Sequence, residues 1–346
     1  MDGLIIAAFA AGAGAAAWAG AGALRGVLRA RAILDHPNAR SSHGAPVPRG
    51  AGIAVVGAAL VAWALAMALG VVATTNAPVL LGALGLALVS WVDDVKGLGA
   101  PPRLAAQVAA VALVMVAVPP GLAFQGWLPA PLDHVAAAIA WLWFVNLFNF
   151  MDGIDGIAGA ETACVAGGVA LIAGFAGLMG LAGLAGAPLL PALLLVAVAV
   201  GFLPWNWHPA RIFLGDVGSV PLGFMLGWLL LDLAGRGAWA AALILPAYFL
   251  ADATWTLARR ALRGEAIWRA HREHFYQRAV HGGLSHAAAV RAVLACNAAL
   301  VPCAALSLAG TGATIAALCA AAVSVAALLW YFRSAARRPP RPGGQS

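Results

Sequence analysis

Charge is what this 346-residue chain has least of. Asp, Glu, Lys and Arg make up 10% of it, against roughly 25% in a soluble domain, which excludes water as its principal solvent. Cysteine is scarce too: Cys164, Cys296, Cys303 and Cys319 all fall in apolar runs without metal-ligand spacing, so they imply neither a disulfide framework nor a thiolate metal centre. No basic stretch precedes the first apolar run, Leu4 to Leu24, and arginines follow it, so it reads as a retained span rather than a cleaved signal. No polar stretch is long enough for a second, soluble domain. The net charge of +7 would suit nucleic acid, but the arginines sit in short loops between apolar runs, where they report orientation instead.

What is abundant is hydrocarbon: 63% of the residues are hydrophobic and the mean hydropathy is +0.91. Apolar runs long enough to cross a bilayer are expected at 4–24, 52–73, 78–92, 104–118, 134–150, 158–178, 188–205, 218–234, 238–257, 287–309 and 314–332. The expected fold is all-α, a polytopic membrane bundle of about eleven transmembrane helices, with the N-terminus periplasmic and the C-terminus cytoplasmic. Residues 1–332 form one integral-membrane domain, and 333–346 a basic, Pro/Gly-rich cytoplasmic tail. This threading sends 25–51, 93–103, 151–157, 206–217, 258–286 and 333–346 to one face, and of the 20 Lys and Arg residues all but Arg236 fall on or beside it. By the positive-inside rule that face is cytoplasmic.

The acidic residues gather there as well. A charge at the edge of a membrane costs several kcal/mol unless it is paired or functional. Asp93-Asp94 ends the third span, and adjacent carboxylates repel unless a cation or a proton intervenes. The fifth span ends with Asn149, Asp152 and Asp155 at three-residue steps, which share a face if the helix continues. The interleaved Gly153 and Gly156 would let backbone amides approach a nucleotide or phosphate. In Asn206 to Ser219 a Gly-Asp-x-Gly-Ser turn opens a helix, where Asp216 can hold Mg2+ while free amides face phosphate oxygens. Phe213 is a candidate to stack a base. His271-Arg272-Glu273-His274 and the first loop, with Arg40, His43, Pro46, Pro48 and Arg49, are dense in groups that recognise phosphate.

Each signal has a plainer reading alone: a solvated helix end for Asp93-Asp94, an ordinary N-cap for Gly-Asp-x-Gly-Ser, an orientation signal for the basic loops. His36, His281 and His286 read as ordinary loop residues, and Asp252 as a partner of Arg259 or Arg260. Co-occurrence on one face favours a shared site.

Taken in order, these stretches resemble the polyprenyl-phosphate N-acetylhexosamine-1-phosphate transferase family, the glycosyltransferase-4 group that includes phospho-N-acetylmuramoyl-pentapeptide transferase. The carriers are Arg40-Ser-Ser-His43 with Pro46-x-Pro48-Arg49-Gly50, Asp93-Asp94-x-x-Gly97-Leu98 with Arg103, Asn149-x-x-Asp152-Gly-Ile-Asp155-Gly, Phe213-Leu-Gly-Asp216-x-Gly-Ser219 and His271-Arg-x-His274. The resemblance implies a cytoplasmic cleft for a UDP-sugar and Mg2+, with Mn2+ a substitute, and a lipid phosphate arriving from the bilayer. Asp216 and Asn149 would be the Mg2+ ligands. Asp93 and Asp94 would face the lipid phosphate. Asn149, Asp152, Asp155, Asn206 and Phe213 would shape the uridine and metal surroundings, and Lys96, Arg103, His271, Arg272 and His274, with His43 and Arg49 of the first loop, would hold phosphates.

The expected partners are a UDP-N-acetyl sugar, undecaprenyl phosphate and the bacterial inner membrane, with a homodimer admitted. The pentapeptide branch has three successive histidines where this chain has His271-Arg272-Glu273-His274, and the first loop looks more like the branch that initiates O-antigen and enterobacterial common antigen. Ala51 stands where many relatives have a third loop glycine. The expected donor is therefore UDP-GlcNAc or a 6-deoxy-N-acetylhexosamine. The pentapeptide transferase is the rival within this chemistry, and a transporter or flippase the rival outside it.

Overall fold

The computed structural model describes residues 3–35, 45–179, 182–184, 186–266 and 271–337. It is almost wholly helical. The helices are α1 (Gly3–Ala30), α2 (Gly52–Ala68), α3 (Ala77–Lys96), α4 (Ala100–Ala117), α5 (Ala130–Met151), α6 (Ile157–Met179), α7 (Leu189–Asn206), α8 (Asp216–Leu233), α9 (Trp239–Ile244), α10 (Ala247–Leu262), α11 (Phe275–His281), α12 (His286–Leu306) and α13 (Thr311–Ala335). The described sheet is a two-residue antiparallel pair, β1 (Leu34–Asp35) with β2 (Val47–Pro48). Prolines open α3, α4 and α5 at the first turn, where a missing N–H costs nothing. Gly97 closes α3 in the left-handed conformation, at φ 68°.

Nine helical segments among the described residues are long and apolar enough to cross a membrane, and the chain is a multi-pass membrane protein. Each expected span meets a helix, with one correction. The ninth, 238–257, is broken into α9 and α10 at Leu245–Pro246, because proline has no N–H to continue the ladder and constrains the residue before it. α9 follows α8 through a π-turn, Ala234–Ala238, interrupted by Gly237 at φ 96°.

α8 is the axis of the bundle. From Asp216 through Ile244, 89% of the apolar window is buried within the protein, against 17% for α1, which faces outward. It packs on α2, α3, α5, α6 and α9. At its start Gly218 lies so close to Gly52 of α2 that a Cβ on either would meet the other's backbone, so α2 and α8 cross with their main chains in contact. That crossing brings the first loop to the start of α8: Gly50 and Ala51 N–H donate to Phe213 O at 3.1 and 3.0 Å, and Phe213 N–H donates to Pro48 O at 2.8 Å.

The two ends of the bundle differ as the charge pattern predicts. At one end the described segments after α1, α3, α5, α7 and α10 meet, carrying most of the described arginines, histidines and acidic residues. At the other, Gln125 Nε2 donates to Ala234 O (2.9 Å), and the buried Asp133 accepts from the Ala123 and Phe124 amides, both at 2.9 Å.

Candidate active site

Three helix ends build an ionic layer at the charged end. Asp94, in the last turn of α3, accepts from the amides of Asp216 (3.1 Å) and Val217 (2.9 Å), so its carboxylate caps α8. Gly215, at φ 77°, brings the chain against that carboxylate, where a Cβ would lie 2.7 Å from Asp94 Oδ2. The sequence suggested free amides at this helix start for phosphate oxygens. They are taken instead, because α3 supplies the anion.

Asp216 accepts from Arg49 Nη2 (2.8 Å), from Asn149 Nδ2 (3.2 Å) and, more loosely, from Arg103 Nη1 (3.4 Å). The same Arg49 nitrogen lies 2.8 Å from Asp94 Oδ1. Arg103 also donates to Asp93 Oδ2 (3.0 Å), whose other oxygen accepts from the Leu98 amide (2.6 Å). Burial works against charge on the Arg49 guanidinium, but Asp216 and Asp94 outweigh it and raise its pKa. Asn149 also donates to Ser219 Oγ at 2.8 Å, so its amide nitrogen faces Asp216 and orients that carboxylate.

The expected common face of Asn149, Asp152 and Asp155 does not form, because α5 ends at Met151 and the chain turns. Asp152 stays beside the ionic layer. No described hydrogen bond reaches its carboxylate, and burial, then the negative charge of Asp216, push its carboxyl up to about 7.

Asp155 points away, into a bracket that sequence reasoning missed. Its Oδ2 accepts from the Ala210 amide (3.1 Å) and lies 2.7 Å from His208 Nδ1, while Oδ1 lies 3.3 Å from His286 Nδ1. Burial raises the Asp155 carboxyl, and the two imidazoles and the amide outweigh it, holding it below the usual carboxylate range. These three side chains present ligand atoms within 4.8 Å of one another, a set with metal-binding chemistry. His286 is therefore no ordinary loop residue; its partners lie far away in sequence, beyond any local spacing. Asn206 joins the bracket by accepting from the Gly156 amide (2.9 Å) and donating to Ile212 O (3.0 Å). Gly156 thus spends its amide inside the protein, and Gly153 makes room for Tyr276 and Gln277 rather than for a ligand.

The loop after α10 closes the site. Asp252 is fully buried and does not pair with Arg259 or Arg260; it accepts from Tyr248 Oη (3.1 Å), Thr256 Oγ1 (3.3 Å) and the Phe275 amide (3.0 Å), with His274 Nδ1 at 3.2 Å. The arginines turn to Glu273, with Arg260 Nη1 at 2.8 Å and Arg259 Nη2 at 3.2 Å. Tyr276 donates to Met151 O at 3.0 Å and ties this loop to the end of α5. His271 is driven down to about 4 by burial, His274 and Arg260, so it is neutral at pH 7. Arg272 meets His281 at 3.3 Å, Lys96 is exposed, and Phe213 is half-buried. His43 and Arg40 lie outside the described residues.

Beside the ionic layer runs an apolar cavity of about 710 Å³ between α3, α4 and α5, lined among others by Leu86, Leu104, Ile139 and Phe150. Arg103 and Asn149 belong to both its wall and the ionic layer. The carboxylates here are hard oxygen donors: the negative charge of Asp216 raises the Asp152 carboxyl, which accepts no described hydrogen bond, and a divalent cation would relieve that repulsion.

Residues 76–234 match the family model described as glycosyl transferase family 4. The chain is 33% identical over 99 residues, 28% of each protein, to a probable undecaprenyl-phosphate N-acetylglucosaminyl 1-phosphate transferase of Bacillus subtilis. It is 29% identical over 292 residues, 74% of this chain and 71% of the relative, to the decaprenyl-phosphate N-acetylglucosaminephosphotransferase of Mycolicibacterium smegmatis. It is 33% identical over 199 residues, 51% of this chain and 58% of the relative, to the phospho-N-acetylmuramoyl-pentapeptide-transferase of Deinococcus radiodurans. The matched family region contains the ionic layer except for Arg49, together with the whole apolar cavity.

Proposed function

We propose that this chain belongs to glycosyl transferase family 4 and transfers an N-acetylhexosamine-1-phosphate from a UDP-sugar to a polyprenyl phosphate such as undecaprenyl phosphate, releasing UMP. The observation that carries the reading is the continuity of the apolar cavity with the ionic layer through Arg103 and Asn149. A lipid phosphate must keep its tail in hydrocarbon while its phosphate reaches polar, charged groups. Few other substrates need both along one path.

In the reaction a phosphate oxygen of the lipid attacks the phosphorus that bears the sugar. The bond from that phosphorus to the bridging oxygen breaks, and UMP leaves with the electron pair. Little covalent work falls to the protein, so positioning and charge neutralisation supply the rate. Arg103 and Arg49 hold phosphate oxygens, and Asp94 fixes the start of α8 so that Asp216 stands where Asn149 and Arg49 place it. Asp93, half-neutralised by Arg103, faces the incoming lipid phosphate. Phe213 and the Asp155–Asn206 bracket frame the nucleotide, and His271, Arg272 and His274 lie toward its phosphates and sugar. Mg2+, held by Asp216 with Asp152, would supply charge neutralisation of the diphosphate, and Mn2+ would serve in its place. By the positive-inside rule this end faces the cytoplasm, and the undecaprenyl- and decaprenyl-phosphate substrates in the relatives' names support a bacterial inner membrane as its location. The His271-Arg272-Glu273-His274 sequence favours UDP-GlcNAc or a 6-deoxy-N-acetylhexosamine, for a lipid-linked envelope polysaccharide such as O-antigen.

Incubation with undecaprenyl phosphate and a panel of UDP-sugars, followed by the mass of the lipid product, tests the assignment. Label transferred only from the UDP-muramoyl-pentapeptide would replace it with the pentapeptide reaction. Asp216→Asn should abolish cation-dependent UMP release in a protein that still folds in detergent, and normal turnover would remove Asp216 from the site.

A further inference from the structure

The wall of the apolar cavity is not uniformly apolar. One helical turn below the ionic layer, each of its three helices contributes a neutral polar side chain: Ser90 on α3, Gln107 on α4 and Asn146 on α5. They lie three to four residues deeper than Asp93, Arg103 and Asn149, or about 4.5–6 Å along the helices. Polar groups at that depth are costly unless they are paired or used.

Their hydrogen bonds fix which atoms face the cavity. Asn146 Nδ2 lies 2.8 Å from Leu142 O, a carbonyl that can only accept, so the atom there is the amide nitrogen. The same nitrogen lies 2.7 Å from Gln107 Oε1, so Gln107 must turn its oxygen to Asn146 and leave its NH2 group over. Gln107 is only 5% exposed, it lines the cavity, and no described partner takes its NH2 group. Ser90, 6% exposed, likewise makes no described hydrogen bond. An apolar tail has no use for these groups.

We infer that the Ser90 hydroxyl and the Gln107 NH2 group, which Asn146 orients, form a neutral subsite for the lower oxygens of the lipid phosphate, including the ester oxygen that carries the tail. Arg103 supplies the charge above it. The subsite makes Gln107 a positioning residue: with the ester oxygen held one turn down, the opposite oxygen points up at the sugar-bearing phosphorus, the in-line approach the transfer needs. The inference rests on the transferase reading above.

The test compares binding of undecaprenyl phosphate with undecaprenol, the same tail without phosphate, to the full chain in lipid nanodiscs, alongside steady-state kinetics. Wild-type protein should prefer the phosphate. Gln107→Leu should weaken phosphate binding about ten- to a hundredfold, the value of hydrogen bonds to a charged group, with undecaprenol binding and the KM for the UDP-sugar unchanged. Ser90→Ala, a milder change, should cut the preference severalfold and keeps the test decisive if Gln107→Leu does not fold. Preference retained in both variants, or an equal loss for both lipids as a mere α4–α5 brace would give, overturns the subsite. Wild-type protein that binds the two lipids equally and releases no UMP overturns the transferase reading itself.

Discussion

Removing Arg49 tests the ionic layer most directly. One guanidinium nitrogen lies 2.8 Å from Asp94 Oδ1 and 2.8 Å from Asp216 Oδ1. The Asp94 side chain is 1% exposed and that of Asp216 18%, so truncation to alanine leaves one carboxylate almost dry beside a second. Taking one partner from a buried ion pair costs about 3–5 kcal/mol. Arg49 itself is 35% exposed, and water screens part of its interaction, which brings the expected loss for Arg49→Ala to about 2–3 kcal/mol. Unfolding in detergent with EDTA reads that loss. Millimolar Mg2+ should recover part of it in the variant and do less for wild type, because a cation at Asp216 replaces the missing guanidinium. Arg49→Lys should fall between, since an ammonium lacks the guanidinium fork. An alanine variant as stable as wild type in EDTA, or one indifferent to Mg2+, would refute the account of the layer.

The raised carboxyl of Asp152 predicts a pH signature. Its folded pKa of about 7 exceeds the ordinary 3.8, so the folded protein holds that proton more tightly and the group's stabilising contribution is full below pH 4 and lost by pH 7. Asp152→Asn, fixed in a neutral form, should therefore gain on wild type by about 2–3 kcal/mol between pH 5 and 7 without divalent ions, and a difference constant with pH would contradict it. Gly218→Ala should lower the unfolding temperature, since the new methyl overlaps Leu214 and the Gly52 backbone and forces α2 from α8; overpacking of this kind costs about 1–3 kcal/mol. An unchanged melting temperature would mean that this crossing yields easily.

The spans were legible because hydrocarbon must cover helix, and apolar length is written linearly in sequence. The break in the ninth was not, since the residues on both sides of it, 238–245 and 247–251, are apolar apart from the Tyr248 hydroxyl, and only Pro246 marked the interruption. Of the site, the residues at helix ends were legible: Asp93, Asp94, Arg103, Asn149 and Asp216 each stand where a span meets a charged loop, and one-sided topology forces such ends together. Directions were not legible. Asp155 sits three residues after Asp152 yet faces His208 and His286, because α5 stops between Asn149 and Asp152. Asp252 lies seven and eight residues before two arginines, yet binds a loop more than twenty residues on, since the arginines are drawn to Glu273. What occupies the start of α8 was equally hidden, as a carboxylate 122 residues earlier supplies the cap.

Counting charge in the layer explains why a divalent cation suits it. Asp93, Asp94, Asp152 and Asp216 set four carboxylates against the two guanidiniums of Arg49 and Arg103, leaving two negative charges when all are ionised. Without a cation the protein relieves part of that excess by holding a proton on Asp152. One divalent ion balances it completely. On the proposed reaction a nucleotide diphosphate and a lipid phosphate would add further negative charge, which the layer's own two cations, already engaged with Asp93, Asp94 and Asp216, could not offset alone. Mg2+ favours one or two carboxylates together with substrate phosphates, so on the proposed reaction Asp216 and Asp152 would suit a cation that arrives with the diphosphate rather than one held permanently, and such a cation would neutralise the charge that the Asp152 proton otherwise offsets.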